Sequence, residues 1–99
     1  MSVVMSFAIF PTDKSESVSP YVARVIDRLK TLGVPFQLTS MNTIVETDEM
    51  KQALSVLSEA YSALEKDCHR IYLSVNFDIR KGKSNRMESK VKSVEGKLE

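Results

Sequence analysis

Several residue types are scarce in this 99-residue chain, which has one cysteine, one histidine, three glycines, three prolines and no tryptophan. The lone Cys68 cannot close an internal disulfide, and no leader-like segment precedes Val3, which together read as a reduced, cytoplasmic compartment. His69 lies next to Cys68, and neighbours in an extended chain point opposite ways, so the two make a poor nucleophile–base dyad. No second cysteine or histidine is present to complete a metal site. Gly33, Gly82 and Gly96 stand far apart, which excludes a glycine-rich phosphate loop. No apolar run approaches the roughly 20 residues that span a bilayer. Charge of one sign is lacking too. The net value is +1, against general electrostatic capture of nucleic acid or an acidic membrane.

What is present is ordinary for a globular chain, with 42% apolar and 27% charged residues. The length fits one domain over residues 1–99, small enough that oligomerisation is a natural supplement to its core. Residues 80–99 hold seven Lys/Arg and three Asp/Glu, and residues 1–79 seven and ten. The basic end is read as a solvated helix face and loop.

Val3 to Phe10, stopped by Pro11, reads as a buried strand from its β-branched and aromatic content. Val18, Tyr21, Val22, Val25, Ile26 and Leu29 recur on one helical face, with Ser19 as expected N-cap, Pro20 at the first helical position and Gly33 closing the helix. Phe36–Thr39 and Thr43–Glu46 form an expected hairpin. Asp48 is placed to cap a second helix with the stripe Met50, Ala53, Leu54, Leu57, Tyr61 and Leu64. From Ile71 the period is two: Ile71, Leu73, Val75, Phe77 and Ile79 against Tyr72, Ser74, Asn76, Asp78 and Arg80. After a basic loop, Met87, Val91, Val94 and Leu98 draw a narrow stripe on a last helix, expected to dock on a partner subunit.

The order β-α-β-β-α-β plus a terminal helix predicts an α+β, ferredoxin-like sandwich, with both helices on one face of an antiparallel four-stranded sheet. The other face stays open and is half polar. There Ser6, Ser74, Asn76 and Asp78 offer hydrogen bonds, and Val4, Ala8 and Tyr72 offer apolar area. No aromatic–basic interleaving of the RNA-reading type appears on the polar side of the last strand. Catalytic machinery is thin. A hydrolase reading would need Arg80, Asn76 and Asp78 to converge on an anion and a water. An assembly module without a small-molecule ligand is a second alternative.

Six segments occur in a distinctive order: Phe7-Ala8-Ile9-Phe10-Pro11, Ser17-Val18-Ser19-Pro20-Tyr21-Val22, Phe36-Gln37-Leu38-Thr39, Met41-Asn42-Thr43-Ile44-Val45-Glu46, Asp78-Ile79-Arg80-Lys81-Gly82 and Glu88-Ser89-Lys90-Val91-Lys92-Ser93-Val94-Glu95. With these the chain resembles the thiamine-binding protein family of small ferredoxin-like domains over nearly its whole length. Ser40 stands where many relatives have Pro, Asn42 where many have Gly, and Ile79 in place of a frequent second acidic residue. The resemblance implies dimers or tetramers with the terminal helix engaged in assembly. It also implies binding of thiamine or its hydroxymethylpyrimidine part without catalysis, and no cofactor.

Such a ligand joins a flat aminopyrimidine to a cationic thiazolium, so its receptor needs a slot, neutral hydrogen-bonding groups and a counter-charge. Thr43, Asn42 and Gln37 are the expected readers of the pyrimidine edge, with a backbone group of Ile9. Glu46 or Asp78 would offset the cation, and Met41 would pack on a ring. A phosphorylated ligand would recruit Arg80 or Lys81. Each has a plainer role as well. Thr43 and Gln37 suit a strand, Asn42 the hairpin turn, Glu46 and Asp78 interface ion pairs, and Met41 and Ile9 packing.

Overall fold

A computed structural model of the chain describes residues 1–15, 17–82 and 86–97, with the side chains of 86 and 88–90 outside that set. The elements are β1 (Ser2–Pro11), α1 (Ser19–Leu32), β2 (Phe36–Leu38), β3 (Thr43–Thr47), α2 (Met50–Ser62), β4 (Ile71–Arg80) and α3 (Arg86–Glu95). The four strands form one sheet in the order β2-β3-β1-β4, and all pairs are antiparallel. This is the expected ferredoxin-like α+β arrangement. Among the described residues no helix is long and apolar enough to cross a membrane.

β1 lies inside the sheet, paired on both flanks, and its odd-numbered side chains form the floor of the core. Val3, Met5, Phe7 and Ile9 are all buried, and α1 and α2 cover them with Val25, Leu29, Ala53, Val56, Ala60 and Leu64. α1 follows its predicted stripe and stops at Gly33, whose φ of 73° is the left-handed conformation a helix-terminating glycine takes without steric cost.

Three local expectations are corrected. Ser19 is the first helical residue rather than the cap. The preceding Val18 caps with no side-chain bond, and Ser17 Oγ accepts from the Ser19 N–H at 3.2 Å. Asp48 likewise yields to Glu49, and Gln52 Oε1 reaches back to accept from the N–H groups of Glu49 (3.0 Å) and Asp48 (3.1 Å). The buried face of α2 runs through Ala53, Val56, Ala60 and on to Leu64, while Leu54 and Tyr61 are exposed. The small Ala53 and Ala60 let α2 lie close to the sheet, and this turns the larger neighbours Leu54 and Tyr61 outward.

β4 keeps its predicted alternation but lies at the sheet edge. The helices pack over β1 and β3, so Leu73 and Ile79 on the helix side of β4 remain 39% and 49% exposed. In α3, Val91 and Val94 are exposed, and Leu98 lies outside the described residues.

The loop ends far from α3 are clamped together. Arg24 makes a two-pronged pair with Asp67 (2.8 and 3.1 Å) and lies 5.1 Å from the Tyr21 ring centroid. The N–H of His69 donates to Asp13 Oδ2 at 2.8 Å. A second pair, Arg28–Glu59 at 2.6 Å, joins α1 to α2.

Two outcomes follow from this packing. Leu29→Ala, at a fully buried site, is expected to lower unfolding free energy by about 2–5 kcal/mol, and Leu54→Ala on the outer side of α2 by under about 1 kcal/mol. Denaturant titration checks the contrast, and equal losses would contradict it. The hydrogen bonds from Arg24 hold the Asp67 carboxyl below the ordinary carboxylate range. A lowered folded value means the clamp contributes above the unfolded carboxylate pKa and is lost as pH falls through the folded one. In Arg24→Gln, NMR titration should show Asp67 returning toward its ordinary value. An unchanged Asp67 would contradict the assignment.

Candidate functional site

The face of the sheet away from α1 and α2 is set by strand parity. Successive side chains alternate, so the even-numbered residues of β1 point to the open side. Register carries that parity across the sheet. Val4 pairs with Glu46 on one flank and Asp78 on the other, and Ser6 pairs with Ile44 and Asn76. Ile44 pairs in turn with Gln37. The open face therefore carries a neutral polar row, Gln37–Ile44–Ser6–Asn76, beside an acidic row, Glu46–Val4–Asp78. Residues two apart on a strand make the rows about 7 Å apart. At the far end of the face the Phe10 and Tyr72 rings meet with centroids 5.5 Å apart.

Asn42 joins this group from the hairpin turn. Its Nδ2 donates to Ser6 Oγ at 2.5 Å, and its Oδ1 lies 2.8 Å from Thr39 Oγ1. Thr39 Oγ1 accepts from the N–H groups of Met41 (3.2 Å) and Asn42 (3.0 Å), and the Thr39 N–H donates to the Asn42 carbonyl at 2.8 Å. Asn42 thus serves the turn and the open face together. The turn-knitting role of Thr39 was missed in the sequence reading, although a threonine two residues before the turn's Met41 is the signal for such a bond.

At the other end Glu46 is half-buried and well held. Oε2 accepts from Ser2 Oγ at 2.7 Å, and Oε1 accepts from the N–H of Met87 in the first turn of α3 at 3.2 Å. Ser2 is fully buried although it shares the open-face parity of Val4, and α3 touches both β1 and β3. Beside Glu46 opens a groove of about 740 Å³, within the usual size range of small-molecule sites. It exists because β2 starts at Phe36, opposite Val45, and leaves the outer edge of β3 at Glu46 and Thr47 uncovered. Phe36 and Met87 supply apolar walls, and Gln37, Glu46 and Gln52 polar ones. Ser2, Gln52 and Met87 were not among the expected site residues. The period-two pattern of β1 places Ser2, but nothing in the sequence brings Met87 to it.

Of the expected residues, Gln37, Asn42, Glu46 and Asp78 share the open face. Thr43 does not, because its register partner Phe7 belongs to the helix-covered side. The Ile9 side chain lies on that side as well, opposite Leu73, although the contact expected of Ile9 was through its backbone. Each is 5% exposed, so the Thr43 hydroxyl is turned away from any open-face ligand. Met41 stands out at the hairpin tip, 83% exposed. Asn76, Asp78 and Arg80 follow one another along the exposed side of edge strand β4, spread over about 13 Å rather than converging. Burial pushes the Cys68 thiol up, with Asp67 adding to the effect, opposite to what a nucleophile needs. Among the described residues no group of three or more His, Cys, Asp or Glu could hold a metal ion.

Similarity to known proteins places the chain in a family. A UPF0045 protein of Methanocaldococcus jannaschii is 34% identical over 92 residues, covering 93% of this chain and 91% of that one. The crystal structure of a protein from the same organism superposes with a TM-score of 0.84 at 33% identity, covering 98% of both chains. A Thermotoga maritima structure, provisionally assigned to thiamine biosynthesis or salvage, shares the fold with a TM-score of 0.79 at 22% identity, over 94% of this chain and 99% of that one. The family model for thiamine-binding proteins matches residues 5–95. With nine-tenths of its length matched, including β1 from Met5 onward and every later strand and helix, the chain belongs to the thiamine-binding protein family.

Proposed function

We propose that the protein binds thiamine or a related hydroxymethylpyrimidine on the open face and its adjoining groove, without catalysis, as a carrier, buffer or sensor in the cytoplasm. The observation that carries the reading is the sharing of one face by Asn42, Gln37 and Glu46 in a chain of this family. Asn42 and Glu46 lie four residues apart, about 13 Å along the hairpin, with Gln37 alongside the midpoint. Two rings joined by one methylene fit that span. The neutral amides of Gln37 and Asn42 offer donor and acceptor edges to an aminopyrimidine. Glu46, backed by Asp78 across Val4, supplies the counter-charge for a thiazolium. Binding by a single domain of residues 1–99 needs no bound metal or cofactor.

The expected result in calorimetric titration is saturable binding of thiamine or hydroxymethylpyrimidine, with Gln37→Ala weakening it about three- to tenfold, the worth of one hydrogen bond. Absence of heat with both, from a folded protein, would overturn the reading in favour of an assembly module. Turnover of a generic phosphate ester lost in Arg80→Ala would favour a hydrolase instead.

Assembly into a homo-oligomer is part of the same proposal. The ten-residue β4 ends the strand order, with Leu73 and Ile79 partly bare, and Val91 and Val94 of α3 are exposed among the described residues. A long apolar edge of this kind calls for cover. Sedimentation at micromolar concentration should give at least twice the 11.2 kDa chain mass. A mass of one chain would contradict it.

A further inference from the structure

The carboxylate best placed to meet a cation is already engaged, and its engagement has a consequence for the C-terminal helix. Glu46 is both a wall of the groove and the acceptor for the Met87 N–H, and the side chain of Met87 lines that groove as well. Ser2, buried beneath, orients the carboxylate through the 2.7 Å bond to Oε2. Among the described side chains of α3 Met87 is partly buried, whereas Val91 and Val94 are 47% and 60% exposed and no described residue from 91 to 97 is buried. Its first turn is therefore the part that anchors it. The first amides of a helix carry no intrahelical acceptor and sit at the positive end of the helix dipole. An anionic carboxylate there is stabilising, and a cation brought alongside is repelled.

We propose that Glu46 is a releasable latch for α3. A cationic heteroaromatic ligand entering the groove draws the carboxylate away from Met87, so that groove occupancy and docking of the C-terminal helix oppose each other. The ligand half rests on the binding reading above, whereas the latch itself does not. In the unliganded protein Glu46 holds the first turn of the helix by a charge-assisted bond to the Met87 N–H. When the thiazolium takes the carboxylate, the first turn of α3 loses its acceptor and Met87 leaves the groove wall. The ligand state of the groove is thereby converted into the position of a helix with an uncovered apolar stripe.

Hydrogen exchange of the full chain, read by mass spectrometry on peptides spanning residues 86–97, tests both halves. Without ligand, Glu46→Gln, which keeps shape and removes charge, should exchange about three- to tenfold faster in these peptides, the range that a weakened helix cap produces. Ser2→Ala, which removes only the positioning bond, should move the same peptides by less. Peptides over β1 and α2 should be unchanged in both variants, which separates release of α3 from general unfolding. Wild-type rates in Glu46→Gln would overturn the latch. With saturating thiamine, checked by calorimetry on the same sample, wild-type α3 should exchange faster and Glu46→Gln should show no further change. Bound thiamine with unaltered or slowed α3 exchange would overturn the competition while leaving the binding reading intact. Absence of thiamine binding would overturn both the binding reading and the competition, and the unliganded variants would still decide the latch.

Discussion

The structure depends on the two-sided pairing of β1. All ten of its residues pair with β4, and five of them also pair with β3, so one strand sets the register of the sheet on both flanks. With a side-chain period of two, this single register sorts every residue of the sheet to a face. Met5 and Phe7 go under the helices together with Val45, Val75 and Phe77. Ser2, Val4 and Ser6 go to the other side with Glu46, Asn76 and Asp78. A slip of one residue would put Phe7 and Met5 in water and the serines in the core. The large apolar volume of the odd-numbered residues is what forbids it.

The chemistry of the open face follows from that sorting. Among its described residues the face carries no cysteine or histidine. Cys68 is buried with its thiol pushed up, and the polar residues of β4 are strung along an edge rather than gathered. What the face does have is amides and hydroxyls in one row and carboxylates in the next. Exposed, a carboxylate facing a cation is worth little. Half-buried in the lip of a groove and oriented by Ser2, Glu46 is in a better position to discriminate charge, and the same burial brings it within reach of α3.

Much of the fold could be read directly from the sequence, and the reasons are local. β1 and β4 announce themselves by alternation, α1 by its stripe and Gly33, and the family by segments lying on those elements. The buried face of α2 was legible in part: Ala53 and Leu64 of the expected stripe are buried, but packing against the sheet takes the smaller Val56 and Ala60 in place of Leu54 and Tyr61. Helix starts slipped by a residue at Ser19 and Asp48 because Ser17 and Gln52 supply the bonds from outside the expected cap positions. For the site, Gln37, Asn42, Glu46 and Asp78 share a face as a binding surface requires. Thr43 could have been set apart beforehand, since 43 and 46 differ by an odd number along one strand. The contact of Glu46 with Met87 had no such warning. It spans 41 residues and joins a strand to a helix whose stripe pointed toward a partner.

The most direct measurement of the central claim, that strand parity makes the even-numbered face of β1 the binding face, is chemical-shift mapping of the isotopically labelled protein during a thiamine titration. The account predicts that the side-chain amide signals of Gln37, Asn42 and Asn76 and the backbone signals of Ser6 and Glu46 move together and saturate together. Shifts confined to the helix-covered side, around Thr43, Arg24 or Asp67, with the open-face amides unmoved, would contradict it.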